Sequence, residues 1–402
     1  MTPYENIKKI LYAQVPSMRW DGTEPLTEWQ ERARAKLAEL LGLDKMIPCE
    51  KNLVIEWERD DADHKEIRFR YVTEPGYFVP CHLWIPKGAS LPLPTVICMQ
   101  GHSKGMHISM GVCKFPGEAI AGDRDFCVRA MKEGYAAIAL EQRDFGECGG
   151  NEKGPQCTEP SMSNLLIGRT TIGERVWDVM RLVALLQGDE AFTSIVKADE
   201  IYTLGNSGGG TASTYCGAME TRLAGTVPSC AVSSFAASIG AMRHCACNYV
   251  PNILQYFDMS ELLSMTAPRK LVVVNGALDN IFPIKEARFL YRVRGYTELC
   301  RGTVTALTEK LFFGTASHRS TFYPTVHYEY DGTAHEASAE HSYHYEEHPV
   351  DSEVWIYIDP AEPSRMILAA EKKTAATGIV TAILLAAVVF IYAAVLAAKH
   401  GL

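Results

Sequence analysis

The sequence has no surplus of basic charge. Its 402 residues carry a formal net charge of −9, and no Lys/Arg stripe runs through them. A phosphate-reading surface is therefore not expected, and we expect no nucleic-acid partner. It also lacks an apolar leader: Glu5, Lys8, Lys9 and Arg19 interrupt the stretch Met1 to Trp20, so no signal peptide is expected. The 12 cysteines form no paired-spacing framework. Without an export signal they are expected as reduced thiols in a cytoplasm-facing domain. Cys245-Ala246-Cys247 beside His244 has the residue types of a metal site but no second ligand pair, and we read it as small residues packed in a loop. No internal repeat and no low-complexity tract is present.

What is present is an ordinary globular mixture, 47% hydrophobic and 22% charged, long enough for one large core and an extra module. One segment departs from it. Ala375–Ala398 contains no charged residue and no polar stripe. At about 1.5 Å per residue it reaches about 36 Å, enough to cross a bilayer with some tilt. Arg365, Lys372 and Lys373 precede it and Lys399 follows. We expect a single C-terminal transmembrane helix with the N-terminal bulk in the cytoplasm.

Thr27–Leu43 has helical spacing in Trp29, Ala33, Leu37, Leu40 and Leu41, with Gly42 to end it. Leu53–Arg59, Glu66–Tyr71 and Phe78–Ile85 alternate as strands, and Pro80 argues for an edge position for the third. From Thr95 the pattern changes to buried strands (Thr95–Met99, Tyr135–Leu140, Ile201–Leu204, Lys270–Asn275) separated by helices at Asp125–Glu133 and Thr171–Leu186. That order implies a mostly parallel sheet covered on both faces, an α/β fold. After about Gly295, Thr325–Tyr330 and Val354–Ile358 alternate again, as in a small antiparallel module. His327, His335, His341, His344 and His348 are read as its solvated surface.

Gly205-Asn206-Ser207-Gly208-Gly209 matches G-x-S-x-G. The string is weak alone, but a strand leads into it and a helix rich in small residues follows. That context is a nucleophile elbow presenting Ser207; the plain alternative is a glycine-rich turn with a satisfied serine. Gln100-Gly101-His102 follows the strand Thr95–Met99, where this arrangement keeps half of an oxyanion hole. Backbone N–H groups of Gly101 and His102, with that of Gly208, are the expected donors. Asp279 follows a late strand and suits a triad acid, in the order Ser then Asp; its alternative is an Asx-turn aspartate.

With Gln100-Gly101-His102-Ser103, Glu141-Gln142-Arg143-Asp144-Phe145-Gly146-Glu147, Gly205–Gly210, Cys247-Asn248-Tyr249-Val250-Pro251 and Ile281-Phe282-Pro283 in order, residues of about 25 to 290 resemble bacterial α/β-hydrolases of the dienelactone hydrolase and acetyl xylan esterase-like group. The resemblance implies ester hydrolysis, a small ester substrate, and neither a metal nor an organic cofactor. That family closes with a Gly-Gly-His-Arg loop a few tens of residues after the acid. Gly314–Arg319 offers His318 there without the two glycines. The same stretch, with Cys300–Val304, Tyr323–Gly332 and Val354–Pro360, resembles small bacterial membrane-anchored β-domains of unknown function. On that second reading, which we favour, the hydrolase is cut before its own histidine. The expected division is an N-terminal helical extension (1–50), an α/β-hydrolase domain (51–294), a β module (295–370) and a membrane anchor (371–402). The expected activity is Ser-His-Asp ester hydrolysis by Ser207, His318 and Asp279, or a catalytically inactive fusion. Oligomeric state is left open.

Overall fold

Helical spacing in the first fifty residues and strand alternation after them build one core. In the computed structural model the described residues are 2–20, 24–118, 120, 124–284, 298–314, 317–330, 332–339, 349–359 and 362–368. They form two compact units, divided between residues 284 and 298.

The strands of the first unit are β1 (Val54–Asp60), β2 (His64–Glu74), β3 (Tyr77–Pro86), β4 (Leu93–Met99), β5 (Ala136–Leu140), β6 (Val196–Asn206), β7 (Gly225–Ser229) and β8 (Lys270–Leu271). They pair in the order β1-β2-β3-β5-β4-β6-β7-β8. The pairs from β1 to β5 are antiparallel, and β5, β4, β6, β7 and β8 run parallel. The helices are α1 (Pro3–Ala13), α2 (Leu26–Leu41), α3 (Phe126–Lys132), α4 (Thr158–Leu166), α5 (Thr171–Gly188), α6 (Glu190–Thr193), α7 (Gly208–Met219), α8 (Ile253–Tyr256) and α9 (Met259–Ser264).

The expected periodicities are realised. Trp29, Ala33, Leu37 and Leu41 of α2 join the main core with Phe69 and Tyr71 of the sheet and Ile172, Val176, Val179, Val183 and Leu186 of α5. Each large apolar side chain so buried contributes about 1.5–3 kcal/mol. α2 is thus part of the core of the first unit. Thr170 caps α5, its side chain accepting from Gly173 N at 3.0 Å.

Two expectations are corrected. Pro80 does not mark an edge, because β3 lies between β2 and β5. The proline sits past the end of the β3–β5 ladder, which starts at Cys81↔Leu140. Its carbonyl still accepts from Glu141 N at 3.2 Å, so its missing N–H costs only the reciprocal bond. The strand expected over Lys270–Asn275 is regular only at Lys270–Leu271, with a single bridge from Ser229 to Val274 beyond.

The second unit is a five-stranded antiparallel sheet in the order β11-β10-β9-β12-β13. Its strands are β9 (Glu298–Gly314), β10 (Ser317–Tyr330), β11 (Thr333–Ser338), β12 (Glu353–Asp359) and β13 (Glu362–Leu368). Val304, Val326, Tyr328, Ile356, Ile358, Met366 and Leu368 form its core, on the alternation the sequence displays. The uncharged run Ala375–Ala398 lies outside the described residues, as do His341, His344 and His348. Among the described residues no helix is long and apolar enough to cross a membrane.

Candidate active site

Strand β6 ends at Asn206 and α7 begins at Gly208, leaving Ser207 as the whole turn. Its backbone takes φ 52°, ψ −118°, a region costing a residue with a Cβ about 1–3 kcal/mol and held only where surroundings impose it. Here they do. Ser207 N donates to Ser229 O at 2.8 Å, and Ser207 O accepts from Thr211 N at 2.8 Å. The loop after β4 passes directly beside the serine: a Cβ on Gly101 would lie 3.2 Å from Ser207 Cβ and 2.9 Å from Asn206 O. Ser207, Gly208, Gly101 and His102 are therefore brought together.

The loop carrying Gly101 and His102 rests on two residues that the sequence did not single out as functional. Glu141 is buried. Its carboxylate accepts from Gln100 Nε2 at 2.7 Å, from Met106 N at 3.1 Å and from Glu147 N at 3.3 Å. Gln142 Nε2 donates to Gln100 O at 2.6 Å. Burial outweighs these bonds and pushes the Glu141 carboxyl up to about 7. Next along the chain, Arg143 binds both oxygens of Asp178 at 2.9 Å and Glu74 at 3.0 Å. This buried, bidentate pairing ties the motif to α5 and β2.

Asp279 lies on the loop beyond β8. Its Oδ1 accepts from Ile281 N at 2.9 Å and Phe282 N at 3.0 Å, so the carboxylate closes its own Asx turn. His244 packs edge-on to Phe282 of that turn, with ring centroids 5.5 Å apart. Asn248 Nδ2 lies 3.0 Å from His244 Nδ1, His244 Nε2 is buried without a partner, and burial lowers the ring's pKa. A cavity of about 630 Å³ opens beside it, lined in part by His244, Cys245, Met162 and Tyr249 but not by Ser207. His318 is not in this unit. It lies on β10, paired with Phe313 of β9. No histidine stands between His244 and His318 in the chain.

His102 contacts an aromatic ring and a cysteine sulfur. Its ring stands 5.3 Å from Phe145, and its Nε2 is 3.1 Å from Cys247 Sγ. Cys245 Sγ is 3.3 Å from Cys247 Sγ, and Cys157 packs with both. The Cys-Ala-Cys pair thus meets partners from two distant segments, Cys157 and His102, whereas His244 turns toward Asn248.

Comparison with known proteins treats the two units separately. A family described as a domain of unknown function (DUF3592) matches residues 300–372, a stretch that includes His318. A Bacillus subtilis (strain 168) protein named "Putative hydrolase YtaP" is 27% identical over 213 residues. That match covers 52% of this chain and 66% of the relative, just under two thirds of its length. The structure of a "putative acetyl xylan esterase" from Bacteroides fragilis NCTC 9343 superposes with a TM-score of 0.57 at 16% identity, covering 68% of this chain and 74% of that one. A glucuronoyl esterase from Solibacter usitatus has a TM-score of 0.46 at 15% identity, covering 66% and 79%. The chain has an α/β-hydrolase-like fold with a mostly parallel sheet, plus a separate antiparallel sheet.

Proposed function

We propose that the first unit is a serine ester hydrolase acting on small acyl esters, with Ser207 as nucleophile. The observation that carries this is the strained backbone of Ser207 between β6 and α7, with Gly101 packed against it. A Cβ-bearing residue held at φ 52° is what lifts a hydroxyl above a sheet edge, and Gly208 and the loop carrying Gly101 and His102 lie beside it, where this reading puts the N–H donors to an oxyanion. Ser207 attacks the ester carbonyl, a histidine takes and returns the proton, and Asp279 orients that histidine. The names of the Bacillus relative and the Bacteroides structure point to the same chemistry, and acetyl groups on carbohydrate are the first substrate class to try.

A second reading has an observation of its own. His318 lies on β10, inside the residues matched by the domain of unknown function. On that reading the hydrolase unit lacks its family's triad histidine and serves a structural or interaction role on a membrane-tethered chain. Hydrolysis of p-nitrophenyl acetate by the full-length protein separates the two. The enzyme reading expects turnover lost by several orders of magnitude in Ser207→Ala. Background rates equal to those of Ser207→Ala support the second.

The run Ala375–Ala398 is the proposed anchor in either case. Full-length protein is expected to stay with membranes through salt and carbonate washes, since apolar burial is not screened by salt. Its recovery in the soluble fraction without detergent would overturn the anchor.

A further inference from the structure

We infer that His102, Cys157, Cys245 and Cys247 form a zinc site that pins the loop beside the nucleophile. Their donor atoms, one imidazole nitrogen and three thiol sulfurs, all lie within 4.8 Å of one another. The set is that of a closed structural site, Cys₃His. With Zn–S near 2.3 Å and Zn–N near 2.0 Å, tetrahedral geometry places donors about 3.5–3.8 Å apart. The His102–Cys247 and Cys245–Cys247 separations of 3.1 and 3.3 Å need to open by only a few tenths of an ångström.

Three features outside the four ligands support a metal rather than a plain thiol cluster. Arg175 is fully buried, and its Nη2 donates to Arg143 O at 2.9 Å and to Cys157 Sγ at 3.5 Å. Its Nε and Nη1 have no partner. Asp144 Oδ2 stands 3.9 Å from Nη2 and the Phe145 ring 4.5 Å from the guanidinium carbon; three thiolates around one Zn²⁺ would add a net negative charge directly at the Cys157 sulfur this guanidinium already contacts, which neutral thiols would not. Asn248 Nδ2 donates to Cys247 Sγ at 3.7 Å, the kind of hydrogen bond that holds a ligand sulfur in orientation toward its metal. The four ligands also come from three separate segments: the loop after β4, the N-cap of α4 and the turn at 245–247. A metal would join three loops that have little shared secondary structure. Because four protein ligands fill the tetrahedron, the ion is structural and not a Lewis acid for the ester, and His102 is committed to it through Nε2.

The test is metal content, which does not depend on ester turnover; its failure would leave the assignment of Ser207 untouched. Full-length protein, purified under reducing conditions without chelator, is expected to hold about one zinc per chain. Cys157→Ser and Cys247→Ser should each lower this at least about tenfold, while Cys113→Ser, at an exposed cysteine outside the cluster, should leave it unchanged. Replacing zinc with Co²⁺ should give thiolate-to-cobalt charge-transfer absorption and tetrahedral ligand-field bands; this readout on the wild type decides the matter if the serine variants fail to fold. Absence of zinc after reconstitution together with a cobalt spectrum lacking these bands would overturn the proposal. So would a disulfide among Cys157, Cys245 and Cys247 in freshly isolated protein, or full zinc content in both serine variants.

Discussion

The Nδ1–Cε1 edge of the His102 imidazole lies so close to Gly208 that a Cβ there would come 2.7 Å from both atoms. The residue after the nucleophile and the loop after β4 are therefore fitted to each other through one ring. Gly208→Ala must push His102 away or tilt the first turn of α7, displacing an oxyanion donor in either case. We expect about a 100-fold loss of p-nitrophenyl acetate hydrolysis, the scale of removing one such donor, together with about 1–3 kcal/mol of lost stability from the overpacked contact. Unchanged activity would show that the contact is not part of the site.

Glu141 supplies a pH signature. Its carboxyl is pushed from 4.5 to about 7 by burial, so the folded state favours the protonated form. The associated stability is full below about pH 4.5 and is lost as pH rises through about 7. Subtracting the stability of Glu141→Gln from that of wild type should give a difference that falls by about 3 kcal/mol across that window, read from urea melts at its two ends. A flat difference would mean that Glu141 ionises in the folded protein as it does in water.

His318 separates the two readings of the chain. On the inactive-fusion reading, which its place on β10 of the antiparallel sheet supports, wild type is already near background and His318→Ala leaves the rate within about twofold of it. If His318 were the triad base, the loss would match that of Ser207→Ala, and the double variant would be little worse than either, since triad members act as a unit. Steady-state rates for the three variants decide it.

Much of the scaffold is legible because its signals are local. The α5 face, Ile172 through Leu186, and the alternation in β10 and β12 are periodicities of single elements, and Gly205–Gly209 acquires meaning from the strand and helix on either side. Pro80 misled because a missing N–H reports an unpaired position, and the end of a neighbouring ladder supplies one as well as a sheet edge does. Glu141 and Gln142 were visible only as part of a motif; their task, holding Gln100 from the adjacent strand end, is set by tertiary packing. Cys157 carries no local mark at all. Cys245 and Cys247 pointed to His244 by proximity in sequence, whereas the fold brings His102 and Cys157 to them from 145 and 90 residues away.

The central claim is that Ser207 is an activated nucleophile. Reaction of the full-length protein with a fluorophosphonate, followed by peptide mass spectrometry, tests it most directly. The account predicts one adduct, on the peptide containing Gly205–Gly210, absent from Ser207→Ala and formed more slowly while a small acetyl ester is present in excess. Labelling that persists in Ser207→Ala, or the absence of any adduct on that peptide at saturating reagent, would contradict it.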